Sequence, residues 1–271
     1  MRVYLAGIYA TQFHRTGAAY CRLNAVERRH RDAITDILES FHYLKDEHVA
    51  NLRRDGARVF LDSGAFSAYT QGVCIDLDAY CRFIREHTDI IAEEEGQPLY
   101  SVLDSIGDPE QTLRNQWAME QLGLRPIPCF HYGEDERYLL QYLDSYLYIA
   151  LGGMVGRPRP HLSAWLARIW NRYLLGRPGL RVHGFGLTSE DVMRRYPWHS
   201  MDSTSWVMVA ATGNLFVPGL GTVSVRRLGG SVLRIAAVQG FDAARLRRDY
   251  ASRWAFNCWS YSELGRRMNQ T

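Results

Sequence analysis

The chain has 271 residues, of which 46% are hydrophobic and 23% charged, and its formal net charge is +3 at pH 7. A chain of this size and apolar content can bury a large core, which excludes a disordered or fibrous protein. The charge is unevenly divided: residues 1–156 carry −8, whereas the basic C-terminal part, residues 157–271, carries +11. Such a split is typical of a nucleic-acid-binding surface. The alternative is a codon bias towards Arg, because Lys45 is the only lysine.

Eight short runs rich in Val, Ile, Leu and Tyr are predicted to be strands. In chain order they cover residues 2–9, 58–62, 99–104, 127–131, 146–151, 181–185, 199–202 and 232–238. Apolar residues three or four positions apart predict helices between most of them, over residues 25–53, 76–95, 109–122, 134–144, 161–175 and 189–196. Strands that alternate with helices indicate an α/β protein with a parallel sheet. About eight repeats favour a (β/α)8 TIM-type barrel over a doubly wound open sheet.

The pattern changes after the seventh predicted strand. Residues 213–225 are rich in glycine and predict an irregular hairpin inserted at this point, and residues 242–267 predict a closing helix. No repeat or linker divides the chain, so we expect one domain over residues 1–271.

The cysteines and the N-terminus limit the cellular context. The five cysteines are scattered, without a CxxC pair: Cys21, Cys74, Cys81, Cys129 and Cys258. We therefore expect neither a metal site nor a disulfide framework, and a reducing compartment. Gln12, His14 and Arg15 interrupt the apolar N-terminus before it reaches the length of a signal-peptide core or a membrane span. The expected location is the cytoplasm.

Carboxylates follow three of the predicted strands, at the end where barrel enzymes place catalytic groups. Asp62, Asp104 and Asp202 each come directly after a buried run. An Asp in this position costs desolvation energy unless it is paired or used in chemistry. The alternative for each is an Asx turn that caps the next helix. Asp144 has the same neighbours but precedes its strand, so we interpret it as a helix end or turn.

Carboxylates that converge on one pocket suit chemistry at an acetal-like carbon. In retaining glycosyl transfer one carboxylate attacks the anomeric carbon and a second transfers protons. No Walker loop or GxGxxG turn supports phosphoryl or hydride transfer. Gly152, Gly153 and Gly184 would let the backbone approach a planar ligand, or would allow close packing between strand and helix. Phe66 and His183 are placed to hold a base between them.

The strand ends taken together resemble a known family. They read DSGAFS over residues 62–67, then Asp104, His131, GG at 152–153, HGFG over 183–186 and Asp202. This series resembles the tRNA-guanine transglycosylase superfamily, barrel enzymes that exchange a guanine for a 7-deazaguanine base. The phrases VFLDSGAFS (59–67), FHYGE (130–134) and YPWHSMDSTSW (196–206) are most similar to its phage branch, the DNA 7-deazaguanine transglycosylases. The resemblance runs from about residue 40 to 206.

The resemblance implies a role for each matched residue. Asp202 would be the nucleophile that attacks C1′ and expels guanine, leaving a covalent Asp–deoxyribose intermediate. Asp62 would act as general acid and base on the outgoing and incoming bases. Asp104 would bind the guanine-type edge of the base. The other residues of the implied base site are Ser63, Gly64, Phe66, His131, Gly152, Gly153, His183 and Gly184.

Two departures from the tRNA enzymes bear on the substrate. His131 stands where those enzymes usually have a Gln, so the identity of the incoming base stays open. The chain also lacks their CxCxxC zinc motif, so we expect no metal or other cofactor and no zinc-supported tRNA-docking insertion. The expected partners are DNA, with the target nucleotide flipped out, and 7-cyano-7-deazaguanine or a related base. The expected location of a phage-encoded enzyme of this kind is the host cytoplasm.

The basic C-terminal part would then bind the DNA backbone. Four arginines flank the Asp202 strand and are expected to line the route to it. They are Arg194, Arg195, Arg226 and Arg227.

Three other functions stay open from the sequence. The first is guanine exchange in tRNA, against which the missing zinc ligands argue. The second is a nucleoside or glycoside hydrolase, in which water replaces the incoming base at the same two carboxylates. The third is a nucleic-acid-binding barrel without catalysis, which carboxylates at three strand ends disfavour. A shared fold does not distinguish among these functions, and the sequence leaves the oligomeric state open.

Overall fold

The protein is an α/β protein built around a parallel sheet, seen in a computed structural model that describes residues 1–187 and 189–269. Its strands are β1 Arg2–Ala6, β2 Ile37–Ser40, β3 Phe60–Asp62, β4 Glu93–Glu94, β5 Gln97–Pro98, β6 Cys129–His131, β7 Tyr148–Gly152, β8 Arg181–Gly184, β9 Ser200–Ser203, β10 Asn214–Val217 and β11 Gly221–Ser224. Seven of them form one sheet in the order β3-β2-β1-β9-β8-β7-β6. Every strand pair in this sheet is parallel. The strands therefore all end at the same edge.

Thirteen α-helices are found among the described residues. They are α1 Ala18–Cys21, α2 Ala25–Asp32, α3 Asp46–Asp55, α4 Ala65–Thr70, α5 Leu77–Glu86, α6 Pro109–Gln121, α7 Glu136–Ser145, α8 Arg159–Ile169, α9 Glu190–Arg195, α10 Ser205–Ala211, α11 Gly230–Val238, α12 Ala243–Arg248 and α13 Tyr250–Met268. α6 begins at Pro109, and the side chain of Asp108 caps it by accepting from Gln111 N–H. Both residues are favourable at a helix start. Within residues 1–187 and 189–269, no helix has both the length and the apolar character needed to cross a membrane.

The sheet is strongly curled. Phe60 of β3 and His183 of β8 are separated by three intervening strands, yet their ring centroids lie 4.7 Å apart. Tyr4 of β1 contacts both rings, at 5.4 Å from Phe60 and 6.0 Å from His183. Side chains from opposite parts of the sheet therefore meet and fill its concave side.

The two edges of the sheet are joined through the segment 99–102. Leu61 N–H donates to Leu99 O at 2.9 Å, and Ser101 N–H donates to Leu61 O at 3.0 Å. On the other side, Val102 N–H donates to the carbonyl of Ile127 at 3.0 Å, just before β6. These contacts are parallel β-bridges and do not form a regular ladder. The predicted strand over residues 99–104 is present only in this reduced form.

Three predicted elements are wrong in type or extent. The helix predicted over residues 76–95 ends with α5 at Glu86, and a 3-10 turn and strand β4 follow it. Residues 232–238 form helix α11 and not an eighth strand, with Val232 and Ala236 buried one helical turn apart. The predicted helix over residues 25–53 is in fact α2, strand β2, a 3-10 turn and α3. Ile34, Ile37 and Leu38 have helical spacing in the sequence, which concealed β2.

The C-terminal region matches the sequence more closely. The predicted hairpin lies within residues 213–225, as antiparallel β10 and β11, and follows the seventh strand of the sheet in chain order. The closing helix is divided into α12 and α13, because Asp249 leaves the helical conformation and caps α13 by accepting from Ala251 N–H. α13 then packs on β1, where Gly265 lets the helix approach Val3 closely.

Candidate active site

A cavity of about 800 Å³ lies at the carboxyl ends of the parallel strands. Asp62 from β3, Asp104 from the loop before α6, and Asp202 from β9 all line it. The three carboxylates are more than 40 residues apart in the sequence, and the parallel sheet brings them to one edge. The predicted convergence of these carboxylates on one pocket is confirmed.

Asp202 is the most buried of the three carboxylates, with 6% of the residue exposed. Its Oδ1 accepts a hydrogen bond from Gly186 N–H at 2.8 Å and lies 3.3 Å from His183 Nε2. Gly186 has a φ of +67°, and a Cβ on it would lie 2.5 Å from Val155. A glycine at this position therefore allows the loop after β8 to direct its N–H at the carboxylate.

His183 links Asp202 to a buried chain of hydrogen bonds. Its Nδ1 lies 2.8 Å from Ser200 Oγ, which lies 3.0 Å from Tyr148 OH. Burial lowers the pKa of His183, and the hydrogen bond and charge of Asp202 offset only part of this effect. The ring is therefore neutral at pH 7. One tautomer satisfies every contact: Tyr148 donates to Ser200, Ser200 donates to Nδ1, and Nε2–H donates to Asp202.

Asp62 is held at the end of β3. Its Oδ2 accepts from Ser40 Oγ and from Gly64 N–H, each at 2.9 Å. Burial raises the pKa of Asp62 to about 6, and the charges of Asp104 and Asp202 add to this increase. The Gly64 contact is an Asx turn. The structural role that the sequence left open for these aspartates, a turn before the next helix, therefore applies in part to Asp62. A carboxyl group with a pKa near neutrality can both give and take a proton.

Asp104 and His131 form the opposite wall. His131 Nε2 lies 3.5 Å from Asp104 Oδ2, and its Nδ1 lies 3.1 Å from Glu134 Oε1. Burial lowers the pKa of His131, but the neighbouring Cys129 and Asp104 outweigh it and the net pKa is well above 6.5. Asp104 Oδ1 is buried and has no hydrogen-bond partner among the described residues. This oxygen is therefore left unpaired inside the wall of the cavity.

Asp104 and Asp202 do not cap helices in the structure. The cap of α6 is Asp108, and the N-cap residue of α10 is Thr204. Asp144 is exposed in the last turn of α7, as its interpretation as a helix end predicted.

Other predicted residues of the base site also line the cavity. Phe66, in the first turn of α4, is 53% exposed, so one side of its ring is open to a ligand. Gly152 ends β7 and Gly153 follows it, and both line the cavity. Their carbonyls already have partners, Tyr132 N–H for Gly152 and Arg157 Nε for Gly153.

Four residues predicted to bind substrate are not among the residues that line the cavity. Ser63 is fully buried, and its N–H donates to Ser101. Gly64 supports the Asp62 turn with a φ of +78°. His183 is fully buried and contacts Asp202, so it does not present a stacking face to the cavity. Gly184 packs outward, where a Cβ would lie 3.0 Å from Trp198. These residues support the wall and do not form its surface.

The four predicted DNA-binding arginines do not line the cavity either. Arg194 and Arg195 end α9, which leads away from the carboxyl end of β8 towards the start of β9. Arg194 forms an ion pair with Glu190 at 2.7 Å. Arg226 and Arg227 lie in a 3-10 turn after β11. A codon bias towards Arg therefore explains the presence of arginine at these four positions at least as well as a role in DNA binding does.

The arginine in the cavity wall is Arg157, which sequence reasoning missed. Its guanidinium lies 4.8 Å from the centroid of the Tyr132 ring, and its Nε donates to Gly153 O at 3.0 Å. Ser40 and Phe185 were also missed, whereas Gly186 belongs to the HGFG strand end that the sequence singled out. Ser40 was concealed because β2 was predicted as helix. Arg157 could have been found, since it is the first basic residue after the Gly152-Gly153 strand end.

Comparisons with known proteins add no relative. No protein-family model matches the chain, and no curated protein matches it. What the site does chemically is therefore inferred from its own residues.

Proposed function

We propose that the protein is a glycosyltransferase that exchanges guanine in DNA for a 7-deazaguanine base through a covalent intermediate on Asp202. One observation carries this proposal: a buried carboxylate held by two hydrogen-bond donors shares a cavity with a second carboxyl group whose pKa is about 6. The first suits a nucleophile and the second suits a general acid and base.

In the first half of the reaction, Asp202 attacks C1′ of the target nucleoside. The bond between its Oδ2 and C1′ forms as the C1′–N9 bond breaks. The departing guanine keeps the electron pair of that bond and takes a proton from Asp62. Gly186 N–H and His183 hold Oδ1 of Asp202, which fixes the plane of the carboxylate during the attack.

In the second half, the incoming base replaces Asp202. Its N9–H proton passes to the Asp62 carboxylate while N9 attacks C1′, and the bond to Asp202 breaks. One glycosidic bond replaces another, so the exchange needs no ATP. Asp62 alternates between its two protonation states, which a pKa near 6 permits close to neutral pH.

The base would lie between the aromatic and polar walls of the cavity. Phe66 and Phe185 both line it and offer ring faces or edges to a planar heterocycle. The carboxylate of Asp104, which lines the cavity, would accept from the N–H groups of a guanine-type edge. His131 stands beside it where the related tRNA enzymes have a Gln.

The architecture that we propose is a closed (β/α)8 barrel of one domain. Segment 99–102 would count as the eighth strand, because its backbone bonds to Leu61 on one side and to Ile127 on the other. Catalytic carboxylates at the carboxyl ends of the strands are the usual arrangement in such barrels. DNA would approach this face with its target nucleotide flipped out, past Arg157 and in the host cytoplasm.

The test uses DNA and tRNA that carry radiolabelled guanine. Each polymer is incubated with the protein, with and without 7-cyano-7-deazaguanine, and released guanine is counted. We expect release from DNA that depends on the added base. Release from tRNA alone would contradict the DNA substrate, and release that leaves abasic sites without added base would identify a hydrolase. No release from either polymer would overturn the proposal.

A further inference from the structure

Three side chains with different donor atoms meet at the polar wall of the cavity. Cys129 and His131 lie on the same side of β6, two residues apart, and Asp104 faces them from the loop before α6. Cys129 Sγ lies 3.6 Å from His131 Nε2, which lies 3.5 Å from Asp104 Oδ2. One donor atom from each residue lies within 4.8 Å of the other two.

These separations match the edges of a metal coordination sphere. Zinc bonds of about 2.3 Å to sulfur and about 2.0–2.1 Å to nitrogen or oxygen, at tetrahedral angles, place neighbouring donors about 3.5 Å apart. Both measured separations agree with this value. An ion bound here would need little rearrangement of the three side chains.

Neighbouring residues orient the donors. Glu134 accepts from His131 N–H at 2.8 Å with one oxygen and lies 3.1 Å from Nδ1 with the other. This contact fixes the ring so that Nε2 faces Cys129 and Asp104, as carboxylates do for metal-bound histidines in many sites. A Cβ on Gly152 would lie 2.7 Å from the His131 ring and 2.9 Å from Cys129 Sγ. Glycine at this position therefore lets the two donors approach each other.

The charges of the donor set also balance. In the metal-bound form, one carboxylate, one thiolate and one neutral imidazole together carry −2, which neutralises a divalent ion in a largely buried site. Asp104 Oδ1, which has no partner among the described residues, lies on the same carboxylate. Thiolate and imidazole ligands favour zinc over magnesium or calcium.

We propose that Asp104, Cys129 and His131 bind one zinc ion. On binding, the Cys129 thiol and the protonated His131 ring each lose a proton to solvent, and Sγ and Nε2 bond to the metal. Asp104 and His131 line the cavity, so the remaining coordination position is open to water or to a nitrogen or oxygen atom of a bound ligand. The site differs from the CxCxxC zinc motif of the tRNA enzymes, which this chain lacks. It does not depend on the proposed exchange reaction.

Cobalt substitution tests this site without an activity assay. The apo protein is titrated with Co²⁺, and the near-ultraviolet band of a cobalt–thiolate bond is recorded. We expect one Co²⁺ per chain with this band in the wild type, displacement by Zn²⁺, and loss of the band in Cys129→Ser. Cys81→Ser is the matched control, because Cys81 is equally buried but lies on α5 outside the cluster.

A second variant keeps the test decisive if Cys129→Ser does not fold. Glu134→Gln retains all three ligands, and we expect it to weaken zinc affinity by about 10–100-fold. A wild-type protein that binds no stoichiometric metal would overturn the proposal and leave the cluster as an Asp104–His131 ion pair. A thiolate band that persists in folded Cys129→Ser, or is lost in Cys81→Ser, would also overturn it.

Discussion

His183 Nε2 lies 3.3 Å from Asp202 Oδ1, in a contact where the histidine side chain is fully buried and the aspartate side chain is 9% exposed. The sequence suggested that His183 stacks on a base, but the structure makes it a neutral hydrogen-bond donor to a carboxylate. Ser200 and Tyr148 fix the opposite side of its ring. This arrangement orients Asp202 from behind and leaves its cavity side to a substrate.

The first prediction concerns this positioning contact. In His183→Leu the buried carboxylate loses a hydrogen bond worth about 1.5–3 kcal/mol, so we expect kcat of guanine exchange to fall about 10–100-fold. KM for DNA should change little, because His183 does not line the cavity. Steady-state kinetics separate the two constants. His87→Leu is the control, since its ring packs on Phe83 just after α5 and has no contact with the Asp202 chain. An unchanged kcat in His183→Leu would contradict the positioning role.

The second prediction concerns the nucleophile. Asp202→Asn keeps an oxygen that can accept from Gly186 N–H, so the fold should persist, but an amide does not form the glycosyl bond. We expect exchange to fall below about 10⁻³ of the wild-type rate, with no DNA adduct on a denaturing gel. Asp144→Asn, on the exposed end of α7, should retain full activity. An adduct that still formed on Asp202→Asn would disprove the assignment.

The third prediction is a pH dependence set by Asp62. Guanine departure needs the protonated form of this group, whose pKa is raised to about 6. The rate of adduct formation in a single turnover, without added base, should therefore be highest below pH 6 and fall as the pH rises through about 6. Asp62→Asn should be slow at every pH and lack this transition. A wild-type profile that is flat between pH 5 and 8 would remove the general-acid role.

The same pKa predicts a change in stability. A carboxyl group whose folded pKa is raised favours the folded state at low pH, and this contribution is lost as the pH rises through the folded value. Relative to wild type, Asp62→Asn should therefore be more stable by about 2–3 kcal/mol at pH 8 and by under about 1 kcal/mol at pH 4.5. Urea unfolding at the two pH values measures the difference. An equal gain in the free energy of unfolding at both pH values would show that ionised Asp62 does not destabilise the folded protein, and would contradict its raised pKa.

The fifth prediction compares two arginines. Arg157 lies in the cavity wall, whereas Arg194 is paired with Glu190 on α9. If Arg157 neutralises a DNA phosphate, Arg157→Ala should weaken binding and reduce the slope of log K against log salt by about 1. Arg194→Ala should leave both unchanged. Fluorescence anisotropy over a salt series gives both slopes. A loss of binding in Arg194→Ala but not in Arg157→Ala would instead support DNA binding by the arginines predicted from the sequence.

The strand ends were the most predictable part of the site. Asp62, Asp104 and Asp202 each follow a buried run, and parallel strands bring their ends together whatever the intervening helices do. Because the strands are parallel, a carboxylate found at the end of each strand in the sequence could be placed in one shared cavity. Strand β2 was not predictable in the same way, because the apolar residues around it also fit helical spacing.

The orientation of side chains was less predictable than their position. His183 was expected in the site and lies there, but strand alternation alone does not tell whether a residue at the end of a strand reaches the surface or stays in the interior. Its contact with Ser200, which in turn bonds to Tyr148, joins three separate strands, β7, β8 and β9. The proposed role of Cys129 as a metal ligand was not predictable for a similar reason, since the sequence spacing of the cysteines says nothing about ligands from other elements.

The acids of the cavity floor have one more consequence. Asp62, Asp104, Asp202 and Glu134 all line this space, and Arg157 is the one arginine among the described residues that line it. A phosphate that entered would meet several carboxylates in a medium of low polarity, which repel it strongly. A heterocyclic base carries no net negative charge, so the carboxylates do not repel it from the cavity. If the cavity takes the base of a nucleotide, as we propose, these carboxylates would admit the uncharged base and hold its phosphates at the mouth.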